Sequence, residues 1–321
     1  MTKTFNYVFG PVPSRRLGMS LGIDLVPHKI CNYDCIFCEI GKTKKTVTDR
    51  KEYIKKEIIL KELDEFLNSY NGKIDHITLT GEGETTLNSK LGDIIKEIKN
   101  RYNYPVAVLT HSGNISDKRV REELCLADII CPSLDAASQD VFEKINKPHS
   151  SIKIEEVIEG LINLRKEFRN KILLEVLLVK GINNSYEELD KIGKVCNLIK
   201  PDMVQINTVD RPGAYPEALP LSFEELQIAK EIISKHYQKV EVLSRHYQNP
   251  EPTKKLAEKI EEDVLSIMRR RPLTILDIVI SEGIDFFKAK EIIENLLIQG
   301  KIEETTINKT KFYRILKTKS T

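Results

Sequence analysis

Cys31-Asn-Tyr-Asp-Cys35-Ile-Phe-Cys38 places three thiols within eight residues, at Cys-x3-Cys-x2-Cys spacing. The run follows a stretch that reads as a strand, residues 20–26. A [4Fe–4S] cube is ordinarily held by four thiolates. Three on one short loop leave one iron without a protein ligand, and an open coordination position marks a reactive rather than a structural metal site. Other readings of the three cysteines are weaker. Disulfides cannot pair all of them, and residues 1–9 hold no apolar segment of the kind that directs export. A zinc site wants four ligands, and no fourth cysteine lies within sequence reach. Cys125, Cys131 and Cys196 form no Cys-x2-Cys pair and read as buried small hydrophobes.

A chain of 321 residues has room for one large domain and a small one. Its 50 Lys+Arg against 48 Asp+Glu leave a net charge of +2, which speaks against a protein that mainly coats nucleic acid. No apolar run approaches membrane-spanning length, so no membrane partner is expected. The expected location is the cytoplasm, where reduced thiols suit an iron–sulfur site.

Downstream of the cysteines, short apolar strands alternate with amphipathic helices. Strands are expected at residues 74–80, 106–110, 128–134, 172–179 and 203–208. A helix is expected over residues 51–70, with Ile58, Leu60, Leu63 and Phe66 as its apolar face, and another over 87–101. Further helices are expected near residues 117–126, 138–145, 154–168, 185–198 and 222–236. This alternation indicates a parallel sheet covered by helices. Six units are too few for a complete eight-unit barrel, and the reactive residues of a barrel gather at the C-terminal ends of its strands.

Polar motifs fall at those ends. The second strand runs into Thr80-Gly81-Glu82-Gly83-Glu84-Thr85-Thr86-Leu87, the third into Thr110-His111-Ser112-Gly113-Asn114. The fourth ends in Ser133-Leu134-Asp135-Ala136 and the fifth in Lys180-Gly181-Ile182-Asn183. The sixth ends in Gln205-Ile206-Asn207-Thr208-Val209-Asp210-Arg211-Pro212, which puts Gln205, Asn207 and Arg211 either toward a substrate or in turn and surface roles. Taken alone, His111 reads as a structural histidine, and an acidic turn before a helix reads as capping.

Together, the three cysteines, Phe37 before the last of them, and Gly81-Glu82-Gly83-Glu84 resemble the signature of the radical S-adenosylmethionine (SAM) superfamily. The acidic motif is similar to that family's Gly-Gly-Glu-Pro and departs from it at Glu82 and Thr85. The resemblance implies an α/β fold, a partial (βα)6 TIM-type barrel. It also implies a [4Fe–4S] cluster on Cys31, Cys35 and Cys38, with SAM chelating the fourth iron through its amino and carboxylate groups. Gly83 and Glu84 would then meet the SAM ammonium. Asn114, Ser133 and Asp135 would meet its ribose or carboxylate, and Gly181 would let backbone approach the adenine.

Residues 9–18, Phe-Gly-Pro-Val-Pro-Ser-Arg-Arg-Leu-Gly, read as an extended lead-in whose path two prolines and two glycines fix. Arg15 and Arg16 are candidates either for bidentate binding of a substrate anion or for pairing with carboxylates of the barrel rim. Over about residues 7–215 the chain resembles an uncharacterised group of radical SAM proteins related to the wyosine-forming tRNA enzymes. Demethylwyosine synthases carry extra upstream cysteines for a second cluster, and residues 1–30 here contain none. Wyosine formation itself is therefore not expected, since kinship of fold need not carry a substrate across.

After Asn249-Pro250-Glu251-Pro252 the pattern changes, which divides the chain into a barrel over 1–250 and a small domain over 251–321. Helices expected at 255–269, 274–280 and 286–299, then a hairpin of 301–306 and 311–316, resemble a winged helix-turn-helix. The 14 Lys+Arg and 12 Asp+Glu of this part favour protein contact or substrate presentation over strong duplex binding. Arg269-Arg270-Arg271 reads either as a phosphate contact or as a complement to a helix C-terminus.

The expected activity is cleavage of SAM to a 5′-deoxyadenosyl radical that takes hydrogen from a substrate the sequence does not identify. A further reading places the C-terminal module on an RNA or protein substrate that it docks. The electron is expected from a flavodoxin- or ferredoxin-type donor. No catalytic acid or base stands out. The alternative from another class is an iron–sulfur redox-sensing regulator that binds DNA through the winged helix. That reading leaves six βα units and Gly83-Glu84 without a purpose.

Overall fold

The computed structural model describes residues 5–243, 257–307 and 310–316, so the expected boundary at residues 249–252 and the start of the helix expected from 255 lie outside the described residues. One sheet of eight strands, in spatial order equal to chain order, organises the larger part. Its strands are β1 (Val8–Ser14), β2 (Gly18–Asp24), β3 (His76–Thr80) and β4 (Val106–Thr110). They continue with β5 (Ile129–Pro132), β6 (Lys171–Leu178), β7 (Met203–Thr208) and β8 (Val240–Val242). β1 and β2 pair antiparallel, and every pair from β2 to β8 is parallel. The covering helices are α1 (Lys56–Ser69), α2 (Leu91–Arg101), α3 (Lys118–Leu124) and α4 (Gln139–Ile145). α5 (Ile154–Glu167), α6 (Tyr186–Ile199) and α7 (Phe223–Ser234) complete the layer. The six expected βα units are present, running from β2 to β7, and they form the partial barrel.

Two strands escape the sequence reading. The lead-in containing Arg15 and Arg16 is a strand and hairpin turn, with a register shift between Phe9 and Val12 that hides its alternation. β8 is three residues long, too short to show a period. Helix α1 starts at Lys56 rather than 51, because Lys51 is tied into a bridge with Asn88: its N–H donates to Leu87 and its carbonyl accepts from Ser89. Ile58 is 47% exposed, and Ile59 takes its place beside Leu60, Leu63 and Phe66 in the core. The helix expected from residue 87 starts at Leu91, after a single 3-10 turn over Thr85–Leu87. Cys131 and Cys196 are buried as expected, whereas Cys125, at the C-terminal cap of α3, is only half-buried.

Strand side chains alternate between two faces. Leu21, Ile23, Ile77, Leu79, Val106, Val108, Leu174, Val176, Val204 and Ile206 enter the main core with the helices. The alternate positions include Ser20, Thr78, Glu175, Gln205 and Asn207, and this opposite face is polar. Arg15 and Arg16, in the β1–β2 turn, reach Asp210 and Glu175 at 2.9 Å each. β1 is an edge strand, with β3 to β5 between its hairpin and β6, so these pairs exist only because the sheet curls into a barrel around a polar lumen. Among the described residues no helix is long and apolar enough to cross a membrane.

The C-terminal elements are α8 (Ala257–Arg270), α9 (Ile275–Glu282), α10 (Phe286–Ile298) and the antiparallel pair β9 (Ile302–Ile307) and β10 (Thr310–Ile315). Thr274 and Asp277 form a capping box on α9, and the Asp285 side chain caps α10. Ile260, Val264, Ile267, Ile278, Ile293 and Leu296 build a second apolar core, which Val12 of β1 joins. Arg270 fastens this part to the barrel. Its Nε donates to Asp24 Oδ2 at 2.6 Å, its Nη2 donates to the Asn6 carbonyl at 2.9 Å, and its guanidinium lies 4.2 Å from the Phe9 ring centroid. Burial pushes the Asp24 carboxyl up to about 6, against the pull of Arg270.

A carboxyl raised in the fold stabilises it while protonated, and that contribution is lost as pH rises through the folded value. Arg270→Ala strands Asp24 in a buried site. The variant is expected to lose about 3 kcal/mol of stability at pH 8, and clearly less at pH 5, where a proton replaces the arginine. Urea unfolding at both pH values measures this, and equal losses would refute the buried-pair account.

Candidate functional site

The loop after β2 and the loop after β3 are built as one unit. The Glu84 N–H donates to the Ile30 carbonyl at 2.9 Å, and the Lys29 N–H donates to the Glu82 carbonyl at 2.7 Å. A Cβ on Gly83 would lie 1.9 Å from the Ile30 carbonyl oxygen, so only glycine permits this approach. Cys31 follows directly. Its sulfur accepts from the Tyr33 N–H at 3.4 Å and lies 3.3 Å from His111 Nε2. Cys35 Sγ accepts from Asn146 Nδ2 at 3.5 Å, and Cys38 Sγ from Lys29 Nζ at 3.2 Å.

All three cysteines are free thiols. Burial pushes Cys31 up to about 12 and raises Cys35 well above the ordinary thiol range, and in both cases the charge of the neighbouring cysteines adds to the effect. Buried thiols this reluctant to ionise become thiolates only with a bound cation. N–H groups directed at the sulfurs are the outer contacts that iron–sulfur centres use. Among the described residues the three side chains are not drawn together into a metal-holding group, but the chemistry of the donor set, three free thiols on one loop, fits a cluster.

Glu84 is the hub of the site and is 1% exposed. Its Oε1 accepts from Thr86 N, Thr86 Oγ1 and Thr110 Oγ1, at 3.1, 2.5 and 2.6 Å. Its Oε2 accepts from the His111 N–H at 3.1 Å and lies 3.1 Å from His111 Nε2. The Gly113 N–H donates to His111 Nδ1 at 3.2 Å, which assigns the ring proton to Nε2, between Cys31 and Glu84. Burial lowers the pKa of His111 against the pull of Glu84, and its ring stacks on Tyr33 with centroids 3.8 Å apart.

Asn114 belongs to the same network: Oδ1 accepts from Asn32 Nδ2 and Nδ2 donates to Thr86 Oγ1, both at 3.0 Å. Asn32 Oδ1 is buried without a partner among the described residues. Asp135 accepts from Asn146 Nδ2 at 2.8 Å and from the Leu177 N–H at 3.0 Å, and burial pushes its carboxyl up to about 7. Asn146 thus joins Asp135 to Cys35. Ser133 meets the network through its backbone, the N–H donating to Thr110 and the carbonyl accepting from Ser112 Oγ. Phe37 packs against the main core, and a Cβ on Gly213 would come within 3.0 Å of its Cα. The loop after β7 is therefore pressed onto the cysteine loop, where Tyr215 also donates to Asp34 Oδ2 at 2.5 Å. Gly181 serves its own turn, with φ +75° and open space where a Cβ would stand.

The remaining sequence candidates divide into three groups. Arg15, Arg16 and Asn207 meet at Glu175. Asn207 donates to Glu175 Oε1 at 3.1 Å and accepts from Arg15 at 3.2 Å. Burial would raise the Glu175 carboxyl, yet Arg16 beside it, with Asn207, holds it below the usual range. Gln205 donates to Glu241 Oε1 at 2.7 Å. Arg211 lies in the seam with the C-terminal helices. Its Nε donates to the Pro272 carbonyl at 2.8 Å, and its ends face Asp277 at 3.3 Å and Glu39 at 3.5 Å. Sequence reasoning missed Lys29, Asn146 and Glu175. Only Glu175 carried a signal, a lone acid inside an apolar strand.

Gly83→Ala is expected to displace the cysteine loop and cut iron loading on reconstitution several-fold. Gly181→Ala, which meets no atom, is expected to cost about 1 kcal/mol of stability and leave loading intact. Iron content of the two variants decides this, and equal loading would remove the close-approach argument.

Residues 25–192, just over half of the chain, match the Radical SAM superfamily. A Brachyspira hyodysenteriae protein named GTPase Obg is 38% identical over 309 residues, 96% of this chain but 45% of that protein. The chain thus spans less than half the length of that relative. A UPF0026 protein of Helicobacter pylori is 37% identical over 68% of this chain and 71% of its own length. Among solved structures, a radical SAM methyltransferase from Sphaerobacter thermophilus overlays with a TM-score of 0.52, covering 71% of this chain and 67% of that chain. Its 16% identity makes this a likeness of fold. The family match takes in the cysteine loop, the Glu84 hub and the ends of β4 to β6, and the chain belongs to the radical SAM superfamily and, within it, to the UPF0026 family.

Proposed function

We propose that this radical SAM enzyme holds its [4Fe–4S] cluster on Cys31, Cys35 and Cys38 and directs hydrogen abstraction at a substrate in the polar barrel lumen. The observation that carries the reading is the set of three free thiols on one loop, each facing an N–H donor and joined through His111 to Glu84. The cluster and SAM supply one-electron cleavage of the sulfonium to a 5′-deoxyadenosyl radical, the chemistry that the protein itself cannot provide.

What the chain's own residues do follows from their bonds. Glu84 has its oxygens occupied by protein donors, so its part in binding the SAM ammonium is to fix the turn that Gly83 belongs to and to offer that turn's backbone as acceptor. The buried Asn32 Oδ1 is supported as a partner for a ribose hydroxyl, because an unsatisfied buried acceptor favours a donor from a ligand, and Asn114, bonded to Asn32 and Thr86, holds it in place. Ser133 and Asp135 stand on the next strand end, and Asn146 ties Asp135 to Cys35. Phe37, clamped by the β7 loop, keeps the last cysteine in place. Arg15, Arg16, Gln205 and Asn207 line the lumen on the side of β6 and β7, where they face substrate.

Residues 251–321 are read as a docking module of winged-helix type for an RNA or protein substrate, with the electron delivered by a flavodoxin- or ferredoxin-type donor. The name of the Brachyspira relative finds no support in this sequence. No Gly-x4-Gly-Lys-Ser/Thr phosphate loop occurs in these 321 residues, and that relative is more than twice as long. A redox-sensing regulator would have no use for the polar lumen.

Anaerobic reconstitution with iron and sulfide, followed by SAM and dithionite, tests the reading through 5′-deoxyadenosine. Wild type is expected to form it, and Cys35→Ala to lose both the cluster's visible absorbance and the product. Product from Cys35→Ala, or a cluster-loaded wild type that fails to bind SAM, would overturn the assignment.

A further inference from the structure

Three arginines from distant parts of the chain converge beside the cysteine loop. Arg15 comes from the β1–β2 turn, Arg211 from the loop after β7, and Arg271 from the turn after α8. Arg211 Nε donates to the carbonyl of Pro272, next to Arg271, and Arg15 pairs with Asp210, next to Arg211, so the three positive charges face one seam and disfavour one another. Arg15 is neutralised by Asp210 at 2.9 Å, and Arg211 by Asp277 and Glu39. Arg271 differs. Among the described residues its guanidinium has no hydrogen bond and no ion pair, and the acids in its field, Asp277 and Glu39, are those already engaged by Arg211. It is half-buried, and burial, followed by the charge of Arg211, pushes it down to about 10.

The backbone around it is fixed. The Arg271 N–H donates to the Ile267 carbonyl, the Pro272 carbonyl accepts from Arg211, and Leu273 exchanges two hydrogen bonds with Tyr313 of β10. Arg270, one residue earlier, is locked on Asp24. Glu39 follows Cys38 directly, and the Tyr215 N–H donates to the Ile36 carbonyl, so this seam adjoins the cysteine loop. A recessed guanidinium with five N–H donors, a like charge beside it and a rigid mount is preorganised for an anion of fork geometry.

We infer that Arg271, beside Arg15 and Arg211, forms an oxyanion site at the seam between barrel and C-terminal helices, which takes a phosphate or carboxylate group of the substrate. The inference rests on the enzymatic reading above in one respect, that the oxyanion belongs to the molecule acted on. The C-terminal part then supplies a residue to the site and does more than dock a partner.

The test uses the full-length, cluster-loaded protein, titrated calorimetrically with inorganic phosphate or acetate against potassium chloride of equal ionic strength. Protection of Arg271 from phenylglyoxal, read by peptide mapping, is the second measurement. At least one oxyanion is expected to bind and to protect Arg271. Arg271→Gln is expected to weaken binding about tenfold or more, and Arg271→Lys to recover part of it as a point charge without the fork. SAM binding and melting temperature should stay as in wild type. Preference for phosphate assigns a phosphorylated group, and preference for acetate a carboxylated one. Binding no stronger than chloride, or equal binding by Arg271→Gln, overturns the site. Failure of wild type to form 5′-deoxyadenosine while phosphate or acetate binding persists would strike the enzymatic reading and leave the site standing.

Discussion

The ion pair between Arg16 and Glu175 crosses the barrel, and the geometry of everything around the lumen depends on charges being held across it. A partial barrel cannot close its edges through a ladder of backbone hydrogen bonds, as a complete one does. Here the β1–β2 hairpin swings onto β6 and β7 instead, where Arg16 meets Glu175 and Arg15 meets Asp210 and Asn207. Such pairs contribute little net stability, because desolvation offsets their attraction, but losing one partner leaves a charge with nowhere to go. Their effect is on specificity of arrangement. The hairpin cannot slide without leaving a partly buried arginine and its carboxylate unpaired.

That constraint reaches the chemistry through two contacts. Val12 of the hairpin completes the core of the C-terminal helices, and Phe9 carries the guanidinium of Arg270, whose other partner, Asp24, ends β2. Six residues past Asp24 lies Ile30, on which the Gly83-Glu84 turn is seated. Barrel closure, the docking of the last helices and the position of the cysteines are thus linked by short chains of directed bonds. A site that must orient a reactive intermediate and exclude water from it benefits from such rigid mounting.

Much of this was legible in the sequence, wherever the signal is local. Cysteine spacing, the six βα units and the C-terminal helices depend on periodicity and on residues a few positions apart. Helices α9 and α10 fall within two residues of expectation because Thr274, Asp277 and Asp285 announce their starts. The failures have equally definite causes. In β1, Gly10, Pro11 and Pro13 interrupt the alternation that marks a strand, and its pairing is revealed only by the partner. Ile58 and Ile59 are both apolar, and which one faces inward depends on where α1 begins, which Lys51 decides through a contact with Asn88. Asn146 reaches Cys35 across 111 positions of sequence, and no local pattern encodes that.

The basic run Arg269-Arg270-Arg271 shows the limit of reading charge by composition. Locally the three residues are equivalent, a favourable complement to the C-terminus of α8. In the fold they separate completely. Arg269 is exposed, Arg270 is spent on Asp24 and the Asn6 carbonyl, and Arg271 stands in a recess beside Arg211 without a protein partner among the described residues. The near-neutral charge of residues 251–321 therefore says little about what they bind, because the charges that matter are consumed or released one at a time by tertiary contacts. A module judged weakly basic overall can still present one unsatisfied cation where an anion would complete the site. Position within the fold, rather than the sum of charges, decides which arginine is available.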